Sequence, residues 1–236
     1  MRIDKMLANL KYGSRNDIKN LAKSHRITVN HQKITDVSMT IDPNKDEVRI
    51  DDQIVFYKDN LYLMMNKPKG IICTTSDALY PTYLSLIDEP YNRFDLNVCG
   101  RLDVDTEGLL ILTTDGDFLH KVISPKTDID KTYFVMLKHP LKGYQILEKG
   151  VTIKDGAEKP YLTKPAKIFD VTEYSCRIAI SEGKFHQVKR MFETIGNEVI
   201  DLKREKIGML ELDSSLLPGD YKELAEADLS LILNEK

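Results

Sequence analysis

The 236-residue sequence predicts an α+β protein in two parts: a small basic helical module, then a body built on a mixed, mainly antiparallel sheet with flanking helices. Three observations predict it. Helical periodicity marks the N-terminus, short apolar runs separated by Gly, Pro and Asp begin at Leu61, and charge is unevenly spread. The runs do not alternate as regular βαβ units, so a mixed or antiparallel sheet is the natural class. A hydrophobic fraction of 42% and a charged fraction of 30% exclude a disordered chain.

The net charge of −3 conceals an asymmetry. Residues 1–33 hold eight Lys or Arg against two Asp, net +6; residues 34–58 are net −3 and the remainder net −6. A basic end on an acidic body suits an anionic partner, and nucleic acid is favoured over a membrane surface because no large apolar helix face accompanies the cations. No stretch approaches the ~18 apolar residues of a membrane span, and no signal-like apolar region follows Met1, which points to the cytoplasm. Cys73, Cys99 and Cys176 are odd in number and far apart, so they read as reduced core residues rather than a disulfide framework or a zinc site.

Within the basic module Ile3, Met6, Leu7 and Leu10 form one apolar helix stripe, which Gly13 ends. Ser14 and Asp17 carry capping-box spacing for a second helix, with Ile18, Leu21 and Ala22 inward and Arg15, Lys19, Lys23 and Arg26 outward. The strings R-I-D-K-M-L, G-S-R-N-D-I-K-N-L and R-I-T-V-N resemble the S4 (αL) RNA-binding domain over residues 1–58. By that resemblance Arg2, Lys5, Ser14, Arg15 and Lys19 face RNA. The S4 family often has glycine where this chain has His25 and His31, which implies left-handed turns at both.

The body is assigned to residues 59–236. Strands are predicted over 61–65, 109–113, 132–137 and 176–180, and helices over 117–123, 185–195 and 222–232. Its most informative string is G-R-L-D-V-D-T-E-G-L-L-I-L-T-T-D-G. The spacing of Asp103, Asp105, Glu107 and Gly108 imitates the start of an EF-hand. However, the twelfth position is Thr114 and residues 109–112 are apolar, which argues against calcium. Asp105 and Asp115 read as turn formers.

The whole string resembles the catalytic motif of the pseudouridine synthases that modify ribosomal RNA, the RsuA family, in which the acid of G-R-L-D is catalytic; here that is Asp103. Two other segments resemble the same family. N-K-P-K-G places Lys67 and Lys69 in an RNA-binding role, and I-S-E-G-K-F-H-Q-V-K-R-M-F sets Val188, Met191, Phe192 and Ile195 as an apolar helix stripe after a turn at Gly183. The resemblance implies that Lys189 pairs with Asp103, with Arg190 as second choice for that ion pair, and that Arg190 and Leu202 line the substrate pocket. It also implies that Tyr133 of K-T-Y stacks on the target base. Arg101 is the candidate to fill the space of an extruded base, and His186 is read as structural or RNA-contacting rather than catalytic.

The reaction so implied isomerises uridine to pseudouridine, and the F-H-Q-V-K-R-M-F helix resembles that of the family members acting on 16S rRNA, which implies uridine 516 as the target. It needs no cofactor and no metal, in keeping with a sequence free of dinucleotide, P-loop or metal-ligand motifs. It needs an ionised carboxylate, which a cation within ~4–6 Å favours; whether Asp103 attacks the sugar or removes a ribose proton stays open. The expected partner is 16S rRNA in a small-subunit assembly intermediate, met by a monomer with no membrane association. The alternatives are a 23S rRNA synthase of the same family and a non-catalytic S4-containing assembly factor.

Overall fold

The computed structural model describes residues 1–233. The chain divides into two compact units. The first comprises Met1–Leu61 together with Ile87–Leu96; the second comprises Tyr62–Leu86 and the described residues from Asn97 onward. Among the described residues no helix is long and apolar enough to cross a membrane, and no group of three His, Cys, Asp or Glu is placed to hold a metal ion.

In the first unit α1 (Ile3–Asn9) and α2 (Arg15–Lys23) precede β1 (Ile27–Val29), β2 (Gln32–Lys33), β3 (Val48–Ile50) and β4 (Gln53–Ile54), in sheet order β2-β1-β3-β4. The predicted stripe is the core: Ile3, Met6, Leu7 and Leu10 are all at most 4% exposed, each worth about 1.5–3 kcal/mol when fully buried. The chain leaves α1 through Lys11 in the left-handed region, at φ +58°, rather than at Gly13. Gly13 has a different duty. A Cβ there would sit 2.9 Å from the Asp17 Cβ, so the glycine lets Asp17 reach back over the start of α2.

Asp17 and Ser14 form the capping box that their spacing predicts. The Ser14 hydroxyl both donates to Asp17 (2.6 Å) and accepts its N–H (3.3 Å), so this exposed side chain caps α2. His25 and His31 adopt φ +57° and +67°, the left-handed turns expected there. Arg26 leaves the outward row to pair with Asp51. The excursion Ile87–Leu96 packs here because Phe56 meets Tyr91 and Phe94 edge to face, with centroids 5.5 and 5.8 Å apart. Lys11 adds an ion pair to Asp95 at 3.0 Å, and Arg93 lies over the Tyr12 ring.

The second unit is built on nine strands. They are β5 (Tyr62–Lys67), β6 (Asn97–Val98), β7 (Glu107–Thr113), β8 (Lys131–Leu137), β11 (Lys167–Phe169), β12 (Ser175–Ile180), β13 (Val199–Ile207), β14 (Leu210–Glu211) and β15 (Tyr221–Glu223), with the hairpin β9 (Thr152–Lys154) and β10 (Pro160–Leu162) standing apart. The sheet order is β11-β12-β8-β13-β7-β5-β15, with β14 on β13 and β6 on β7. The β13–β7 pair is parallel and the others are antiparallel, so the sheet is mixed and mainly antiparallel as predicted.

Helices α3 (Gly116–Ile123), α4 (Gln187–Glu193) and α5 (Glu226–Leu233) flank it. Phe118 and Val122 of α3 and Ile232 of α5 pack with Met64, Leu109, Ile111 and Ile207 of the sheet. Asp115 is the N-cap of α3, accepting the N–H groups of Asp117 and Phe118, and Tyr62 donates to it at 2.6 Å. The Tyr62 contact, ahead of burial, holds the Asp115 carboxyl below its ordinary range.

The largest departures from the expected element boundaries fall on the last two helices. Residues 221–223 are a strand on the edge of β5, and the last helix starts only at Glu226. Helix α4 begins at Gln187 because the turn into it, expected at Gly183, is made by His186 in the left-handed region at φ +51°.

Candidate active site

Asp103 lies in the connection between β6 and β7, and this loop is held from three directions, two of them through its backbone. Gly100, at φ +85°, turns the chain out of β6. Arg204 of β13, 2% exposed, donates from Nη2 to the Gly100 carbonyl (2.9 Å) and from Nε to the Leu109 carbonyl (2.8 Å). One planar guanidinium thereby ties both ends of the loop together. Gly108 makes this approach possible, since a Cβ there would lie 2.2 Å from the Arg204 carbonyl oxygen.

From the other side the segment after β5 grips the middle of the loop. Gly70 N–H donates to Val104 O (2.7 Å), Leu102 N–H to Cys73 Sγ (3.4 Å), and Lys67 Nζ to the carbonyls of Thr106 (2.8 Å) and Pro68 (2.9 Å).

Lys67 therefore departs from its expected RNA-binding role. Its side chain is fully buried, burial pushes its pKa down, and its ammonium is consumed by backbone carbonyls under the catalytic loop. Lys69 is 44% exposed and paired with Asp201 at 2.6 Å.

Helix α4 brings Lys189 to the loop from the third direction. Its Nζ is 3.1 Å from Asp103 Oδ2 and 2.5 Å from Asp105 Oδ1, with the lysine side chain 18% exposed. The expected Asp103–Lys189 pair is present, and Asp105 is a second acceptor of the same ammonium rather than a turn former. Burial raises the Asp105 carboxyl, but the Lys189 contact outweighs it and leaves the pKa below the ordinary value. His186 Nε2 stands 3.7 Å from Asp103 Oδ1.

Arg190 does not join them. Successive helical residues point about 100° apart, so when Lys189 faces the acid its neighbour faces away. Its guanidinium instead binds the carbonyls of Lys154 and Asp155 and pairs with Glu158 at 3.0 Å, anchoring the β9–β10 hairpin. This corrects its assignment to the substrate pocket.

The acid opens onto a cavity of about 560 Å³ that Arg101, Asp103, Tyr133 and His186 help to line. Beneath it a recess of about 70 Å³ is walled by Asp103, Tyr133 and Leu202. Tyr133 reaches the cavity because β8 alternates, with Lys131, Tyr133, Val135 and Leu137 buried. It pairs across the strands with Arg204, two positions along β13 from Leu202.

Three further contributors were not named from sequence. Arg204 is one. Another is Thr106, which lines the recess and whose buried Oγ1 has no hydrogen-bond partner. The third is Lys131, a cavity-lining amine held on the carbonyls of Ile129 (2.7 Å) and Val122 (3.2 Å), which burial and then the Arg204 charge push down to about 8. The alternation of Leu202 and Arg204 was a signal for the first: a charged residue in phase with a buried leucine is itself buried and must bond to something.

The chain as a whole is similar to known proteins. The family described as RNA pseudouridylate synthase matches residues 61–194, and the S4 domain matches residues 1–55. An "Uncharacterized RNA pseudouridine synthase YtzG" of Bacillus subtilis is 43% identical over 100% of this chain and 99% of its own. The "Ribosomal small subunit pseudouridine synthase A" of Escherichia coli K12 is 36% identical over 99% of this chain and 100% of its own. A solved structure, "Crystal structure of pseudouridylate synthase", superposes with a TM-score of 0.68 at 35% identity, over 98% of this chain and 99% of that one.

Proposed function

The chain belongs to the RNA pseudouridylate synthase family, in its RsuA-type branch with an N-terminal S4 domain, and from that premise we propose that it converts uridine 516 of 16S rRNA to pseudouridine with Asp103 as the catalytic acid. The observation that carries the reading is the Asp103–Lys189 pair at the base of a cavity walled by Tyr133 and Leu202. The name of the Escherichia coli relative supports the small subunit as the source of the substrate.

The reaction is an isomerisation. The C1′–N1 bond breaks, uracil turns within the cavity, C1′ bonds to C5, the C5 proton leaves and N1 gains one. Asp103 serves it as an anion, either bonding to C1′ or taking a ribose proton. The Lys189 ammonium, shared with Asp105, offsets the desolvation that would otherwise protonate a carboxylate in a cavity closed by RNA. Tyr133 offers its ring to the freed uracil, and Leu202 supplies an apolar wall. A stacked uridine hides its glycosidic bond, so it must be extruded at a cost of a few kcal/mol. In this reading Arg101, exposed and lining the cavity, fills the gap.

In this reading residues 1–58 bind the RNA backbone and residues 59–236 house the chemistry. Lys5, Arg15 and Lys19 are exposed and contact phosphates, with Arg2, half exposed beside Asp4, and Lys69 adding to them. The substrate is a small-subunit assembly intermediate in the cytoplasm, bound by a monomer.

The test is carbodiimide adduct mapping by primer extension after incubating the protein, or its Asp103→Asn variant, with unmodified 16S rRNA, 23S rRNA and partly assembled subunits. A single new stop at uridine 516, absent with the variant, is expected. A stop in 23S rRNA keeps the chemistry and overturns the substrate. Tight binding with no stop on any RNA overturns the enzyme in favour of an assembly factor.

A further inference from the structure

The mouth of the cavity carries a feature that bond breaking and base rotation do not use. Phe185 and His186, on the turn into α4, stack face to face, with ring centroids 3.7 Å apart and planes 20° from parallel. The Arg190 guanidinium, fixed on the hairpin carbonyls, lies 5.1 Å from the Phe185 ring centre. Both aromatic residues line the cavity, yet Phe185 is 49% exposed and the His186 side chain 39%.

Leaving a phenyl ring half in water forgoes burial that the fold could have used. The turn that presents it is a non-glycine residue at positive φ. The turn is also braced from below. Gln187 accepts the Lys184 N–H at 2.9 Å and donates to the buried Glu182 at 2.6 Å. Two parallel rings are thus held rigidly beside the acid, with the imidazole Nε2 3.7 Å from Asp103 Oδ1.

A strand that delivers one nucleotide into the cavity must carry its neighbours past this mouth, and extrusion leaves those neighbours without a stacking partner. Planar side chains recover such stacking whatever the base, because every base has a π-face. We propose that Phe185 and His186 form a stacking platform for the nucleobase adjacent to the target uridine, a flanking-nucleotide subsite distinct from the uridine pocket of Tyr133 and Leu202. It rests on the reading of the cavity as a uridine site. The platform lowers KM without touching the reacting atoms, and it prefers a purine, whose π-face is larger. Arg190, lost to the uridine pocket, gains a role as the clamp that keeps the Phe185 ring in place.

The test is abasic scanning. An RNA fragment bearing the mapped uridine is made intact and with an abasic site at each of the three nucleotides on either side, and kcat and KM are measured for the full chain and for Phe185→Leu and Phe185→Tyr. Wild type is expected to lose about tenfold in KM at one flanking position. Phe185→Leu loses about the same on intact RNA with kcat within twofold, and loses nothing more when that base is missing; Phe185→Tyr restores the wild-type pattern. A structural defect would instead lower both RNAs in proportion. Additive losses, a loss confined to kcat, or an unaffected leucine variant would each overturn the platform.

If wild type makes no pseudouridine, the functional reading fails by itself and the platform is read separately. A 2-aminopurine beside the uridine is quenched by wild type and not by Phe185→Leu if the proposal holds. Equal fluorescence with both sinks it.

Discussion

Between Gly100 and Leu109, five backbone groups are held by partners from other segments: Arg204 on two carbonyls, Lys67 on a third, Gly70 N–H on a fourth and Cys73 Sγ on an amide. On α2, by contrast, Arg15, Lys19 and Lys23 stand in solvent on a helix anchored by Ile18 and Ala22 alone among its fully buried positions. The contrast follows from what each charge must do. A carboxylate that acts on one ribose carbon has to be placed within a fraction of an ångström, so its loop is over-determined by short directional bonds. A phosphate contact draws on long-range, weakly directional Coulomb attraction, and a mobile side chain meets it as well as a fixed one.

The sharpest break of that contrast is Asp103→Asn. It removes the charge and leaves the anchors, so turnover falls at least about a thousandfold while the affinity for RNA, measured by filter binding, stays within about twofold. Next is Arg204→Met, which frees the Gly100 and Leu109 carbonyls while leaving Asp103 in the chain. A loop displaced by about 1 Å should cost roughly a hundredfold in kcat, with stability down by about 3 kcal/mol in urea unfolding for two buried acceptors left bare. Arg204→Lys should rescue little, because an ammonium cannot reproduce the fork.

Lys189→Met comes third. Without the ammonium, Asp105 loses the contact that outweighs its burial and holds its proton to higher pH, so the acid limb of the pH–rate profile should move upward. An unchanged limb would show that Lys189 is not what keeps the site ionised.

Lys131 tests the catalytic body by stability alone. Its folded pKa of about 8 lies below its value of 10.5 in the unfolded chain, so the unfolded state binds more protons between the two. Stability should therefore rise by roughly 2–3 kcal/mol from pH 8 to pH 10 on this account, a rise absent from Lys131→Met in denaturant titrations at each pH. The smallest effect belongs to the helix face. Arg15→Ala or Lys19→Ala should weaken binding a few-fold and flatten the salt dependence by about 0.7–0.9 per contact, with kcat unchanged. A large kcat loss there would erase the distinction between the two regions.

Much of this was legible along the chain. The α1 stripe, the Ser14–Asp17 cap, the strand alternation that turns Tyr133 inward and the spacing that sets Lys189 on the exposed side of α4 are all local patterns, and each became the structure it spelled. The histidine turns at residues 25 and 31 were readable through the resemblance to the S4 family, which often has glycine at both positions.

What the sequence by itself determined, then, were the periodic faces, the caps and the residue types that meet at Asp103. What only the tertiary structure decided was where charged side chains end when a distant segment comes alongside. Lys67 looked like a surface cation and is buried, because the Thr106 carbonyl arrives from 39 positions away. Arg190 left the pocket for carbonyls 35 and 36 positions earlier. Ile87–Leu96 joined the first unit through rings on Phe56, and residues 221–223 became a strand because the edge of β5 was open to them. The physical reason is common to all four. A backbone carbonyl, a ring or a strand edge attracts whatever polar or aromatic partner the fold sets beside it, and that neighbour is chosen by topology rather than by the local run of residues.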